Sequence, residues 1–388
     1  MTKAIGCISG GLDSQLAVCL LQRQGIAILA LHVQHLWHPK LLAEDERNAG
    51  VRAVEARGVP VRLVNAAQAD LEMIQHPQHG FGKRMNPCID CRIWTLRQAK
   101  RLLEEEGADF VFTGEVVGQR PMSQHRGALA LVAREAGLED FLVRPLSAKC
   151  LPPTRPEREG KVNRDALMDF AGRSRKPQMA LAAEFGLTDY PTPAGGCLLT
   201  DPGFAWRLRE LMDHGTPTIA DVELLKVGRH FRLADGSRVV VGRRHEDNLR
   251  LEKLFLPGDV RFEADRMTGP LALLRGKNLF HDPLSLDGPS RASGSNERGE
   301  GVRVNAVHQQ IPPHPTLSHE GERDYETKAS EENVALAASL VLRYGKAKPG
   351  EVHPVRVAPV GETPRVVDAR PADDELARRL IISPENPR

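Results

Sequence analysis

The chain has 388 residues, 41% apolar and 4% aromatic, with 53 Lys and Arg against 51 Asp and Glu for a formal charge of +2. A chain of this length divides into two or three domains with sizeable cores, and its near-neutral total leaves any nucleic-acid binding to local patches. No apolar run reaches membrane-spanning length, and six cysteines in so long a chain do not make a secreted disulfide scaffold, so a cytoplasmic protein without a membrane partner is expected.

In chain order, Ala4 to Ile8 is a short apolar run and Leu16 to Leu21 has helical apolar spacing, so Ser9-Gly10-Gly11-Leu12-Asp13-Ser14 reads as the turn from a strand into a helix. Two adjacent glycines let successive amides turn inward at the positive end of that helix, which suits phosphate. Neither the lysine of the nucleoside-triphosphate loop nor the G-x-G-x-x-G dinucleotide fingerprint is present. Strands are then expected at Ile26–Val33, Val59–Val64, Phe110–Phe112 and Phe141–Val143, with helices at Glu44–Arg57 and Ile93–Glu106. This alternation predicts an α/β fold with an open, mostly parallel sheet and ligands at the carboxyl ends of its strands. Ser9–Ser14 and Gly114–Gln119 then share one edge.

Asn86-Pro87-Cys88-Ile89-Asp90-Cys91 is placed just ahead of the Ile93 helix, whose positive end favours thiolate. Cys197 closes the glycine-rich turn Pro193-Ala194-Gly195-Gly196, whereas Cys7, Cys19 and Cys150 read as unrelated buried thiols. The run Arg173-Ser174-Arg175-Lys176 is either an RNA-phosphate contact or a solvated helix end.

From about Pro202 the character changes to that of a smaller C-terminal α+β domain, so the chain divides into 1–200 and 205–388. Ala234-Asp235-Gly236 between two apolar stretches signals a hairpin. Residues 226–253 hold eight Lys or Arg against four acids, which makes Arg229, Arg232, Arg243 and Arg244 candidates for RNA backbone binding; solubilising arginines on an exposed hairpin are the alternative. Residues 281–328 read as a disordered insertion, after which a helix (Asn333–Tyr344), a strand (Val355–Val360) and a closing helix (Asp373–Leu380) resume the domain.

The Ser9–Ser14 stretch resembles the SGGxDS signature of the PP-loop ATP pyrophosphatases, of adenine nucleotide alpha hydrolase-like fold, which cleave ATP between the α and β phosphates. The resemblance implies that the Ser9 and Ser14 hydroxyls and the Gly10 and Gly11 amides hold pyrophosphate, and that Asp13 holds Mg²⁺. Thr113-Gly114-Glu115-Val116-Val117-Gly118-Gln119, followed by Ser123-Gln124, is similar to the T-G-E-x-x-G-Q stretch of the tRNA 4-thiouridine synthetases, implying ATP contacts from Gly114, Gln124 and Arg92. Asn86 to Cys91 resembles the N-P-x-x-x-C segment of the tRNA 2-thiouridylases, and a C-x-x-C with one remote cysteine also matches related iron–sulfur tRNA thiolases. That likeness implies a [4Fe–4S] cluster on Cys88, Cys91 and Cys197; a persulfide on Cys197 resolved by Cys91 uses the same residues without iron. The stretch from Gly228 to Asn248 resembles the RNA-binding domain of the NFACT proteins.

Together the resemblances imply an ATP-dependent tRNA sulfurtransferase with Asp13, Cys91 and Cys197 catalytic, which adenylates a uridine carbonyl and replaces its oxygen with sulfur from a donor of unknown identity. An amidotransferase or ligase acting on a small molecule would have no need of the cysteines or the basic hairpin. A non-catalytic RNA-binding protein would have no need of an intact Asp13 and Ser14.

Overall fold

The computed structural model describes residues 1–44, 47, 49–188, 190, 197–276 and 331–384. The first region runs β1 (Lys3–Cys7), α1 (Leu12–Gln22), β2 (Ala27–Gln34), α2 (Ala49–Ala56), β3 (Val61–Asn65), α3 (Ala67–Gln75), α4 (Cys88–Glu105), β4 (Phe110–Thr113), α5 (Arg126–Glu135), β5 (Leu142–Val143), α6 (Arg155–Arg158) and α7 (Lys176–Glu184). Its five strands form one sheet in the order β3-β2-β1-β4-β5, every pairing parallel. The expected open parallel sheet is therefore observed.

Alternation along the strands explains the layers. Ala4, Ile28, Ala30, Phe110 and Phe112 point into a core shared with α1 and α2, while Ile5, Leu29, Leu31 and Val111 point into a second core shared with α4 and α5. Strands buried on both faces read as continuous apolar runs, the pattern seen in the sequence. The chain builds β1, β2 and β3 outward on one side and then crosses to β4 on the other. The order reverses between β1 and β4, and the crevice above their carboxyl ends is where such sheets bind ligands.

Two differences from the sequence reading bear on the site. Helix α4 begins at Cys88 with Pro87 as its N-cap, so Cys88 and Cys91 lie within its first turn rather than ahead of it. Helix α3, which the sequence reading passed over, runs alongside and carries a fully buried acid, Asp70.

The second region comprises α8 (Pro202–Asp213), α9 (Ile219–Leu225), β6 (Arg229–Arg232), β7 (Arg238–Val241), α10 (His245–Glu252), β8 (Val260–Ala264), β9 (Leu271–Arg275), α11 (Glu331–Arg343), β10 (His353–Pro359), β11 (Arg365–Ala369) and α12 (Asp374–Leu380). Its six strands form an antiparallel sheet in the order β11-β10-β8-β9-β7-β6, with α11 packed on one face. Because β10 pairs with β8, this sheet draws strands from both sides of residues 277–330. The insertion expected at 281–328 lies outside the described residues. Among the described residues, no helix is long and apolar enough to cross a membrane.

Candidate active site

Three segments converge above the β1–β4 crevice. The first is the loop from β1 into α1. Gly10 takes φ +72°, a left-handed conformation that a side chain would strain, and α1 starts at an N-cap glycine, Gly11, with no side-chain cap. The amides of the first helical turn thus lack intrahelical partners, an arrangement that suits an anion. Ser9 is exposed, with its Oγ 3.4 Å from the Gly11 amide, while the Ser14 hydroxyl donates to the Gly11 carbonyl at 2.8 Å.

The second segment follows β4. A Cβ on Gly114 would stand 2.5 Å from the Asp13 carbonyl carbon, so only glycine lets this loop lie against the first. Gln119 Nε2 donates to Asp13 Oδ2 at 3.0 Å, and the Gly118 amide donates to the Gln124 carbonyl at 2.7 Å. The third segment is 171–175, tied to the second by the Gly172 amide donating to the Val117 carbonyl at 2.7 Å. It brings the charge of Arg175 toward Asp13.

Each segment contributes one buried polar atom without a hydrogen-bond partner: Asp13 Oδ1, Gln124 Oε1 and Arg175 Nε. Buried polar atoms are as a rule paired, so two acceptors and a donor left open around one crevice fit a polar ligand. Burial raises the Asp13 pKa, opposed by the Gln119 hydrogen bond and by Arg175 and Arg120. A carboxylate oxygen with no donor suits a hard cation such as Mg²⁺.

Arg92, expected on ATP, reaches Glu115 at 3.2 Å. Glu115 is buried and also accepts from Arg144 Nε at 2.9 Å and Thr113 Oγ1 at 3.0 Å. Burial would raise the Glu115 pKa, but Arg92 and Arg144 outweigh it and hold the group ionised. Since Arg92 follows Cys91 on α4, this ion pair fastens the thiol-bearing turn to the second loop.

The thiols have their own surroundings. Cys91 Sγ lies 3.6 Å from His35 Nε2, and His35 Nδ1 lies 3.0 and 3.2 Å from the two oxygens of Asp70. Cys197 packs with Cys91 against the apolar cluster around Leu36 and Trp37, and burial pushes its thiol pKa well up. All six cysteines are unbridged. Among the described residues, no group of three or more His, Cys, Asp or Glu is arranged to hold a metal ion. Cys197 feels the charges of Cys91 and Cys88, so the three thiols expected to act together are neighbours, and Cys91 also lies against His35.

The basic stretch of the second region requires a correction. Arg232 is 2% exposed and forms a bidentate pair with Glu210 of α8, at 2.7 and 2.8 Å. Arg238 is fully buried beside Asp221 of α9, 3.9 Å away, and Arg229 lies over the Tyr344 ring, 4.5 Å from its centroid. Arg232 and Arg238 run inward because α8 and α9 offer acids against the hairpin, whereas Arg229 is half-buried over the Tyr344 ring. Of the four RNA candidates, only Arg243 and Arg244 are exposed, and the buried Arg232 is excluded.

The sequence reading missed Gln119, Arg175, His35 and Asp70. Gln119 closed a stretch already singled out, and Arg175 lay in the charge run. Three histidines at 32, 35 and 38 marked the end of β2, whereas nothing local signalled Asp70.

Comparison with known proteins agrees with this geometry. Residues 1–148 match the family model described as thiamine biosynthesis protein (ThiI), and residues 228–286 match the NFACT protein RNA binding domain. The first region is thus similar to the PP-loop proteins of tRNA thiolation. The chain is 23% identical over 365 residues to a tRNA-specific 2-thiouridylase of Xanthobacter autotrophicus, covering 88% of each protein. It is 26% identical over 242 residues to a 2-thiouridylase of Halorhodospira halophila, covering 58% of this chain and 59% of the relative. Among solved structures, the U34-tRNA thiolase of Methanococcus maripaludis with its [4Fe–4S] cluster matches at 18% identity and a TM-score of 0.32, over 55% of this chain and 65% of that one.

Proposed function

We propose that the protein is an ATP-dependent tRNA sulfurtransferase. The reading rests on one observation: a PP-loop with a left-handed Gly10, an uncapped helix start and an unpartnered Asp13 Oδ1 is fastened, through Glu115 and Arg92, to a helix turn bearing Cys91. ATP lies in the crevice with its β and γ phosphates on the Gly10–Ser14 loop. Asp13, through its open Oδ1, would hold a Mg²⁺, which would offset phosphate charge. A nucleoside carbonyl oxygen attacks the α-phosphorus, the α–β bridge breaks, and pyrophosphate departs into the loop amides. The step needs alignment and charge stabilisation rather than a strong base, which suits a site of Ser, Gly, Asp and Arg.

Sulfur arrives as a persulfide on Cys197. Its terminal sulfur attacks the activated carbon and AMP leaves. Cys91 thiolate then attacks Cys197 Sγ, forming the Cys91–Cys197 disulfide and leaving the thiocarbonyl sulfur on the base. A dithiol reductant returns both cysteines to thiols, and a sulfur donor reloads Cys197. RNA docks on the surface that carries Arg243, Arg244 and Lys253, all exposed.

Incubating the protein with ATP, a persulfide donor and unmodified tRNA should release AMP and pyrophosphate and add one sulfur to a single nucleoside, detected by mass spectrometry. Release of ADP and phosphate would overturn the assignment. Thiolation that depends on protein-bound iron would replace the persulfide route with the cluster.

A further inference from the structure

We infer that the groove between α4 and α5 is a docking surface for RNA backbone phosphates, separate from the arginines of the second region. The partner is taken from the thiolation reading, which this deepens by giving the RNA a place on the first region. The groove encloses about 400 Å³ and is lined by Arg97, Lys100 and Arg101 of α4 and Arg134 of α5, with Glu104 and Glu135 as its acids. Arg97, Arg101 and Arg134 are exposed and Lys100 is half-buried.

The sequence explains how the cations gather. Leu96, Ala99 and Leu102 of α4 are buried in one core with Val132, Ala133 and Ala136 of α5. The two helices thus pack through their apolar positions. Residues 97, 100, 101 and 104 follow the steps of three and four that align side chains on a helix face, and they form one wall of the groove.

Pairing sets this groove apart from other basic positions of the first region. Lys3, Arg62, Arg155, Arg158 and Lys161 each meet a carboxylate at 2.6 to 3.3 Å. Among the described residues, Arg97, Lys100, Arg101 and Arg134 form no ion pair. Arg97 donates to the Glu135 carbonyl from Nε at 3.3 Å and Nη2 at 3.1 Å, and Arg101 to Gln98 Oε1 at 3.4 Å. Glu135 directs its carboxylate to His79 Nε2, 3.3 Å away, rather than to these cations. The carbonyl end of α5 attracts positive charge and accounts for Arg97, which bonds there. Cations gathered without counter-charge repel one another, and an anionic partner removes that cost.

The lining favours nucleic acid over protein. Among the described residues, no exposed large apolar side chain lines the groove, whereas the centre of a protein interface is poor in charge and rich in aromatics. Arginine and lysine alone suit phosphates, which they hold without reading the base. Position agrees with this partner. Helix α4 carries Cys88 and Cys91 in its first turn, and Arg97 to Arg101 stand about 9 to 15 Å beyond Cys91 along its axis. Phosphates held there leave a nearby nucleoside of the same strand free to enter the β1–β4 crevice.

The test measures binding of unmodified tRNA to the full-length protein as salt is raised, with Lys100→Gln, Arg101→Gln and Arg134→Gln combined in one variant. Arg97 is kept because it bonds to the end of α5. The triple variant should bind roughly tenfold or more weakly at about 0.1 M salt and lose roughly 2 to 3 from the slope of log affinity against log salt, and Arg134→Gln alone should lose roughly 1. ATP affinity should match the wild type, since the three residues lie outside the crevice. Should the triple variant fail to fold, Arg134→Gln decides. A wild-type slope in the folded variant overturns the groove and leaves the thiolation reading standing. Weakened binding of poly-glutamate with an unchanged tRNA slope would assign the groove to an acidic polypeptide and overturn RNA as its partner. Groove-dependent tRNA binding without any thiolation would keep the groove and sink the thiolation reading alone.

Discussion

The β1–β4 crevice of the first region and two buried arginines of the second, Arg232 and Arg275, treat their polar groups in opposite ways. Around the PP-loop, Asp13, Gln124 and Arg175 each keep a buried atom without a partner. In the second region, Arg232 of β6 is closed onto Glu210 and Arg275 of β9 onto Asp259 at 2.7 Å and Asp221 at 3.5 Å, whereas Arg238 of β7 is buried with no hydrogen bond to its guanidinium. Polar groups left open at a crevice are poised for a ligand, whereas guanidiniums paired inside a fold hold elements together. Residue type alone does not tell the two apart, and counting arginines along the second region overstated its binding surface.

The sharpest test of that contrast is Arg232→Ala, which strands a buried Glu210 and should destabilise the second region by about 3–5 kcal/mol in chemical denaturation. Unchanged stability with weakened RNA binding would reverse the comparison. Asp13→Asn should cut pyrophosphate release by roughly 100-fold, about 2.7 kcal/mol in barrier, while leaving the unfolding midpoint unchanged or higher. Burial raises the Asp13 pKa, so its charge costs stability in the unliganded fold, and the wild-type crevice should lose metal affinity as pH falls through that raised value.

Acid should act on the hairpin in its own way. Burial would raise the Glu210 pKa, but Arg232 outweighs it and brings it below the ordinary 4.5. The Glu210 contribution is therefore fully present above that value and lost as pH falls through the lower folded one. A pH titration of stability should show this loss in the wild type and not in Arg232→Ala. The smallest effect belongs to the exposed pair: replacing Arg243 and Arg244 together with alanine should leave stability within about 0.5 kcal/mol and reduce the slope of log RNA affinity against log salt by roughly 2.

The local patterns of the sequence determined the parallel sheet and the two loops at its edge. Apolar runs of strand length, a glycine pair ahead of a helix and Gly114 after β4 are signals that act over a few residues. They specify backbone conformation, and conformation places both loops at one sheet edge. Tertiary structure alone decided which side chains meet. His35, Asp70 and Cys91 are 35 and 56 residues apart along the chain and converge only because α3 and α4 flank the carboxyl end of β2. Arg232 and Arg243 look alike in sequence, yet one is buried and the other exposed, because an arginine's long stem follows whichever acid the packing of α8 and α9 presents. Contact and burial are sums over distant segments, and no short stretch of sequence contains them.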